Sequence, residues 1–587
     1  MPPGRGQLIE HEDLLADLTP AQVEAVTQTD GPLLVLAGAG SGKTRVITRR
    51  IAWLLRQGVR PWNILAITFT NKAAGEMRQR VETLVPNSRV WISTFHSLGA
   101  RLLRMYADRV NLSKNFTIYD QDDRVRLVKE ALGDAGIDGG RFTPDRIAGG
   151  ISMAKNQLLL PEQYGHRSND FFSVTVAKIY GFYQRRLKAN DAVDFDDLLM
   201  IPALALKHDE ELRSELDARF KYVLIDEYQD TNIAQYELAR RLSMDFPNIC
   251  VVGDPDQSIY KWRGSDIRNI LNFERDFPNA RTITLERNYR SVPAILTAAS
   301  SLIAHNVHRK PKDLVPTRPG GEPVRILTFD TGSDEADAVA LRIKDACQSG
   351  SRTYRDFAVF LRINALSRAL EQALIKNGVP YQIVKGLAFF ERKENKDVLA
   401  YLRILVNPND NLSFLRIVNE PARGIGPTTL KHLKQFAEVR EISLAAACAQ
   451  VDRIPALKGK AIAGLKQFHA LLMNLREYLD SPPDEVIRQV INRSGYGAML
   501  GQSNDQDDLD RLANIEELIT AAKEFAAEDA ARNIGDFLEQ ITLASDVDGW
   551  NDQQDCVSVM TLHSSKGLEF PVVFIFGIYK GLFAHER

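Results

Sequence analysis

Cysteine is scarce: Cys250, Cys347, Cys448 and Cys556 are the only four in 587 residues, far apart and with no C-x-x-C spacing. That pattern excludes a disulfide scaffold and gives no ligand set for zinc or an iron–sulfur cluster, so a reduced, cytoplasmic setting is expected. Long apolar runs are missing too. No stretch of about 18 apolar residues occurs, so no membrane-spanning helix and no membrane partner are expected. The N-terminal MPPGRGQLIEHEDLL has no apolar core after its single Arg, unlike a secretory signal. A surplus of one charge is also absent: 74 Lys and Arg stand against 76 Asp and Glu, a net charge of −2. The chain is no polycation, and an anionic polymer would have to be gripped by a local basic groove that only motifs can reveal.

What is present suffices for several packed cores. Hydrophobic residues make up 44% of the chain, and about 100–200 residues per domain gives roughly three to five domains. Short apolar runs alternate with longer amphipathic segments: PLLVLA (32–37), ILAITF (64–69), VWIST (90–94), YVLID (222–226), ICVVGD (249–254) and TITLE (282–286). Strand-length runs joined by helical patterns indicate a parallel α/β sheet. A second set, VRILTF (324–329), FAVFLR (357–362), YQIV (381–384), VSVMTL (557–562) and PVVFIF (571–576), predicts a second one. Residues 116–196 and about 387–553 carry hardly any strand signal and read as helical insertions, one in each core. The polar stretches 501–511 and 546–555 read as exposed connections. There is no internal repeat of short period.

Residues 37–44 read AGAGSGKT, after an apolar strand and before the helical TRVITRRIAWLL. In that context small residues let backbone N–H groups wrap phosphates, Lys43 meets the β- and γ-phosphates of a nucleotide, and Thr44 ligates Mg²⁺. The nucleotide-binding run is Ala37, Gly38, Ala39, Gly40, Ser41, Gly42, Lys43, Thr44 and Arg45, with Ala37 replacing the usual first glycine. In LIDEYQDTN (224–232) an apolar strand ends in two carboxylates. Beside a phosphate loop, Asp226 would hold Mg²⁺ and Glu227 would polarise the attacking water. Upstream, Thr19-Pro20-Ala21-Gln22 has the form of a helix capping box. The Gln22 amide could equally read an adenine edge, since it donates and accepts together.

At this point the chain resembles superfamily 1 helicases of the UvrD/PcrA/Rep group, along essentially its whole length. The resemblance rests on LTPAQ (18–22), AGAGSGKT (37–44), ITFTNKAAGEM (67–77), WISTFHS (91–97), DFDDLL (194–199), IDEYQDTN (225–232), VVGDPDQSIYKWRGSD (251–266), LERNYRS (285–291) and MTLHSSKGLEFPVVF (560–574). It implies an α/β fold of two RecA-like P-loop parallel-sheet cores, each with a mostly helical insertion. Core 1 would span 1–115 and 197–286 around insertion 116–196. Core 2 would span 287–386 and 554–587 around insertion 387–553. The resemblance makes Gln22 an adenine contact, Tyr289 a ring stacked on that base, Gln257 a γ-phosphate sensor, Arg290 a second charge on that phosphate and Glu569 a ribose contact. ATP with Mg²⁺ would lie between the cores, and hydrolysis would change their separation.

A single DNA strand is gripped without sequence preference by aromatic stacking and backbone contacts. Tyr260-Lys261-Trp262-Arg263 interleaves rings with cations just after Gln257. By the resemblance Trp262 and Phe69 stack on bases, and Thr70, Asn71, Thr94, His96 and His563 touch the strand. His96 reads as well as an ordinary structural histidine. In PARGIGPTTL (421–430), Gly424 and Gly426 beside Arg423 form a turn that could present amides to duplex phosphates, or could simply connect two helices. The implied activity is ATP-dependent 3′→5′ translocation and unwinding, on single-stranded DNA and its junctions with duplex. The implied place is repair or replication restart, in a cytoplasmic, nucleoid-associated setting. The family's later arginine-rich motif (R-R-L-x-Y-V-A-x-T-R-A) does not occur before GLFAHER (581–587). A chain stopping short of its last catalytic motif is therefore expected, the alternative being a paralogue that binds ATP and DNA with little turnover.

Overall fold

The computed structural model describes residues 14–137, 142–166, 170–307, 309–384, 387–502, 505–544, 548, 550–551, 553–579 and 581. The first thirteen residues, most of GLFAHER and parts of the two polar connections lie outside them. The strands are β1 (Leu33–Ala37), β2 (Ile64–Thr68), β3 (Trp91–Thr94), β4 (Thr117–Tyr119), β5 (Ala192–Asp194), β6 (Tyr222–Ile225), β7 (Ile249–Gly253), β8 (Arg281–Leu285), β9 (Arg287–Asn288), β10 (Val315–Pro316), β11 (Phe357–Leu361), β12 (Tyr381–Ile383), β13 (Val557–Thr561) and β14 (Val572–Phe576). Ten of them make two α/β cores, and β4–β5 and β9–β10 form separate pairs.

The first core is a six-stranded sheet of order β3-β2-β6-β7-β1-β8, parallel throughout. β1, β2 and β7 are buried at every position, as expected of strands covered on both faces, which is why they read as unbroken apolar runs. Helix α1 (Pro20–Thr27) begins with the capping box at Thr19. Helix α2 (Lys43–Arg56) buries Val46, Ile47, Ile51 and Leu54 on one stripe against the sheet. Helix α3 (Asn71–Leu84) is capped by the Thr70 side chain. The phosphate loop, Asp226, Asp254 and Thr70 follow β1, β6, β7 and β2, so all four lie at the carboxyl edge of the sheet, where such folds bind ligands.

The second core is a parallel sheet of order β12-β13-β11-β14. One expected strand is absent: 324–329 forms no strand, with Val324, Ile326 and Leu327 exposed at 55%, 91% and 45%. A strand exists only through its ladder, and the apolar alternation of VRILTF finds no neighbour among the described residues. A second difference lies in 116–196, where β4 and β5 form a parallel pair at the two ends of the helical stretch. Three residues each are too few to give a period.

The chain packs as two compact units, Met1–Phe95 with Asp209–Leu387 and Ser545–Arg587, and His96–His208 with Ala388–Ala544. Both cores fall in the first unit. The second joins the two helical stretches through buried polar contacts. Tyr119 Oη donates to Asp410 at 2.8 Å. The Asn407 amide donates to Thr117 Oγ1 and to the Asn190 and Asp191 carbonyls at 2.9–3.0 Å. Arg403 meets Asp123 at 2.7 Å. DFDDLL supplies Asp194 and Asp197 to a fully buried Lys155, each at 2.8 Å. No helix among the described residues is long and apolar enough to cross a membrane.

Candidate active site

The phosphate loop bends through two left-handed glycines, Gly40 (φ 66°) and Gly42 (φ 88°). At Gly40 space as well as φ demands glycine: a Cβ there would lie 2.6 Å from Arg290 Cβ and 2.8 Å from Asn288 Nδ2. Ser41 Oγ donates to the Gly38 carbonyl at 2.7 Å, and Gly42 caps α2 so that Lys43 and Thr44 open the helix. Gln22 is buried; its Oε1 accepts from Thr19 N at 3.0 Å and its Nε2 donates to the Ser41 carbonyl at 3.0 Å. The amide thus closes the capping box and ties α1 to the loop.

Lys43 Nζ lies 3.1 Å from Glu227 and donates to Gln257 Oε1 at 3.3 Å. Burial pulls the Lys43 pKa down, but Glu227, Asp226 and Asp254 carry it above its ordinary value. Asp226 closes β6, its N–H bonded to the Ile67 carbonyl at 2.9 Å. Burial and the adjacent Glu227 raise its carboxyl well above the usual range. For Glu227 burial acts the same way, but Lys43 and Lys566 outweigh it and hold the carboxylate low. Two neighbouring acids thereby split into a readily protonated one and a firmly ionised one. Glu227 holds a left-handed backbone (φ 52°), a costly one for a non-glycine residue.

The opposite wall comes from two segments. β9 and β10 pair in parallel, and Asn288 bridges to the phosphate loop by donating to the Ala39 carbonyl at 2.6 Å while Tyr289 N donates to the Gly40 carbonyl at 2.8 Å. Lys566 follows β13; it contacts Asp230 closely, approaches Glu227 at 3.5 Å and donates to the Gln257 carbonyl at 3.2 Å. Burial lowers its pKa to about 8. Arg290 Nε donates to Glu569 at 2.6 Å on the exposed side of this wall.

Beside the cluster stand three rings. Gln257 ends one tight turn (Pro255–Gln257) and Trp262 centres the next (Lys261–Arg263). Trp262 is 64% exposed and meets His563 edge-on at 5.8 Å. Tyr260 Oη donates to the His563 carbonyl at 3.2 Å. The Arg263 guanidinium lies 4.7 Å from the Trp262 ring centre. Burial, with Arg362 and Arg263 nearby, lowers the His563 pKa. A large exposed ring backed by cations offers a stacking face to a base.

A family model described as the UvrD/REP helicase N-terminal domain matches residues 18–278, and one described as the UvrD-like helicase C-terminal domain matches 283–587. The ATP-dependent DNA helicase PcrA of Staphylococcus epidermidis is 44% identical over 582 residues, covering 98% of this chain and 79% of that protein. PcrA of Bacillus subtilis is 43% identical over 586 residues with the same coverage. This chain belongs to the UvrD/Rep helicase family. It is a helicase enzyme of two RecA-like cores that binds ATP and DNA.

In this helicase Lys43, Asp226, Glu227 and Gln257 come together at one edge of the first sheet. Ala37 is the buried last residue of β1, and Arg45 points to Asp17 at 2.5 Å. Phe69 packs edge-on against Phe95 at 6.1 Å, beside Thr70 and Asn71 at the start of α3, while Thr94 is buried at the end of β3. His96 lies in the other unit, against Phe195. Gly424 (φ 71°) and Gly426, at the start of the helix Pro427–Arg440, have open space where a side chain would stand. Their neighbour Arg423 is turned inward, donating to the Ile417 carbonyl at 2.9 Å and Tyr401 Oη at 2.6 Å, so it holds the turn rather than offering charge outward. Lys566, Asn288 and Gln229, whose amide donates to Glu227 at 2.6 Å, went unassigned in the sequence. All three sat inside quoted motifs, but for Lys566 and Asn288 a partner hundreds of residues away leaves no local pattern.

Proposed function

We propose that this helicase moves 3′→5′ along single-stranded DNA and opens junctions with duplex, in repair or replication restart, from a cytoplasmic, nucleoid-associated location. The observation that carries the reading is one cluster: Lys43, Glu227 and Gln257 from the first core meet Lys566 from beyond β13, with Trp262 only five residues past Gln257. A nucleotide between the walls would set their spacing and so move the rings past a strand. Gln22 and Tyr289 would meet the adenine, Glu569 the ribose, and Arg290 the γ-phosphate after leaving Glu569. Phe69 and Trp262 would alternate as grips, with Thr70, Asn71, Thr94, His96 and His563 along the strand and Gly424 and Gly426 toward duplex. The residues also fit magnesium. No cluster of three or more metal-ligating side chains occurs among the described residues, and Mg²⁺ in such pockets takes one or two protein ligands plus the phosphates. Thr44 and Asp226 would hold it, and it would neutralise charge on the phosphate oxygens. Asp226 is buried at the end of β6 with its Oδ1 accepting from the Glu227 N–H, and that placement beside the phosphate loop supports the seat.

The test is ATP hydrolysis with and without single-stranded DNA, followed by unwinding of duplexes carrying a 3′ or a 5′ tail. Stimulation by DNA and opening of only the 3′-tailed duplex is expected; opening of the 5′-tailed one would reverse the polarity. The pairing of Arg290 with Glu569 favours one second reading, nucleotide-dependent DNA binding with little turnover. Its signature would be hydrolysis near background while ATP still alters DNA affinity.

A further inference from the structure

Segment 309–316 carries an ammonium that the functional reading above does not use. The Lys312 side chain is 4% exposed and lies between the carboxylates of Asp254 (3%) and Asp256 (8%), contacting Asp254 closely and Asp256 at 2.6 Å. Arg309 adds a second cation at 2.9 Å from Asp256. These carboxylates belong to the turn that ends in Gln257. Asp254 divides its oxygens: Oδ1 takes Lys312 and the Asp256 N–H, and Oδ2 takes Gln257 Nε2 at 2.6 Å. With one N–H of Gln257 committed to Asp254, its Oε1 faces Lys43 at 3.3 Å. A buried carboxylate deprived of its cation turns toward water. Asp254 would then release the amide. The segment that brings Lys312 stands outside the six-stranded sheet: its β10 pairs with β9, and Leu314 packs over Gly38 of the phosphate loop, where it would meet any Cβ.

We propose that Lys312 is a positioning residue for ATP hydrolysis: it clamps Asp254 and thereby aims the Gln257 amide at the γ-phosphate seat beside Lys43. The assignment rests on the proposed role of Gln257. It adds that the amide is oriented only while segment 309–316 is docked across the cleft, so the sensor is armed by the wall opposite its own sheet.

The experiment compares Lys312→Met, Lys312→Arg and, as a control on the same segment, Lys310→Met, whose side chain pairs with Glu274 away from the turn. DNA-stimulated hydrolysis should lose about 10- to 100-fold in kcat in Lys312→Met, with KM for ATP within about twofold. Lys312→Arg should recover most of the loss, and Lys310→Met should match the parent. Unchanged kcat, a change in KM alone, or a loss that Arg does not rescue and that follows a fall in Tm would overturn the assignment. Hydrogen exchange at the amides of 254–263, with and without a non-hydrolysable ATP analogue, needs no turnover. Lys312→Met should abolish the analogue-dependent protection expected of the parent, and equal protection in both would overturn it. A parent that does not hydrolyse ATP would defeat the functional reading, while this second measurement would still decide the role of Lys312.

Discussion

At the scale of single residues, the site works by dividing charge. Lys43→Ala should lower kcat for ATP by at least about 100-fold, yet leave Tm nearly unchanged, because Glu227 keeps Lys566 as its cation. Steady-state hydrolysis and a thermal melt check both. The raised Asp226 pKa has a defined sign. A carboxyl lifted from 3.8 to about 7 in the fold adds stability that is fully present below the unfolded value and lost as pH rises through the folded one. Asp226→Asn should therefore flatten the decline in Tm between about pH 4 and pH 7, an effect on the order of a few kcal/mol. A variant whose melting tracks the parent across that range would refute it. Trp262→Ala removes a ring that is 64% exposed, so stability should hold while single-strand affinity falls by about 1–3 kcal/mol at fixed salt. Anisotropy of a labelled oligothymidine reads that loss.

At the scale of elements, legibility followed burial. Ten of the eleven strand-length runs named from sequence stand in the two large sheets, and the clearest, β1, β2 and β7, are buried at every position and so apolar throughout. VRILTF was misread because an apolar run shows that a strand is possible and cannot show that a neighbour pairs with it. The β4–β5 pair was invisible at three residues a strand. The motifs at the ends of β1, β6 and β7 placed Lys43, Glu227 and Gln257 at one edge in advance. Lys312 and Asn288 were not legible as partners of the first core, since their meaning lies in residues 56 and 249 positions away. DFDDLL was seen as a motif without a role, and the structure makes it the acidic half of a buried ion cluster. Lys155→Met would leave Asp194 and Asp197 without their ammonium in a dry interior, and the helical unit should lose about 3–5 kcal/mol, read as an early transition in a denaturant melt.

At the scale of the whole molecule, near-neutral charge constrains how DNA is held. A body at −2, with the strand held as proposed on exposed rings such as Trp262, predicts that stacking carries much of the affinity. The logarithm of the binding constant for a single strand should fall with that of salt at a slope shallower than about −4, or fewer than about six phosphates at about 0.7 each. Titrations between about 50 and 300 mM salt give the slope, and a steep one would point to an extensive basic groove instead. The joining of 96–208 and 388–544 into one unit was not legible at all, since nothing in either stretch names the other. That union bears on genetic surgery. Excising 388–544 would strip Tyr119, Thr117 and Asp123 of Asp410, Asn407 and Arg403 in one cut. A protein shortened in this way would carry a wound on the half it keeps, and whatever it gained or lost would blend a missing part with a damaged one.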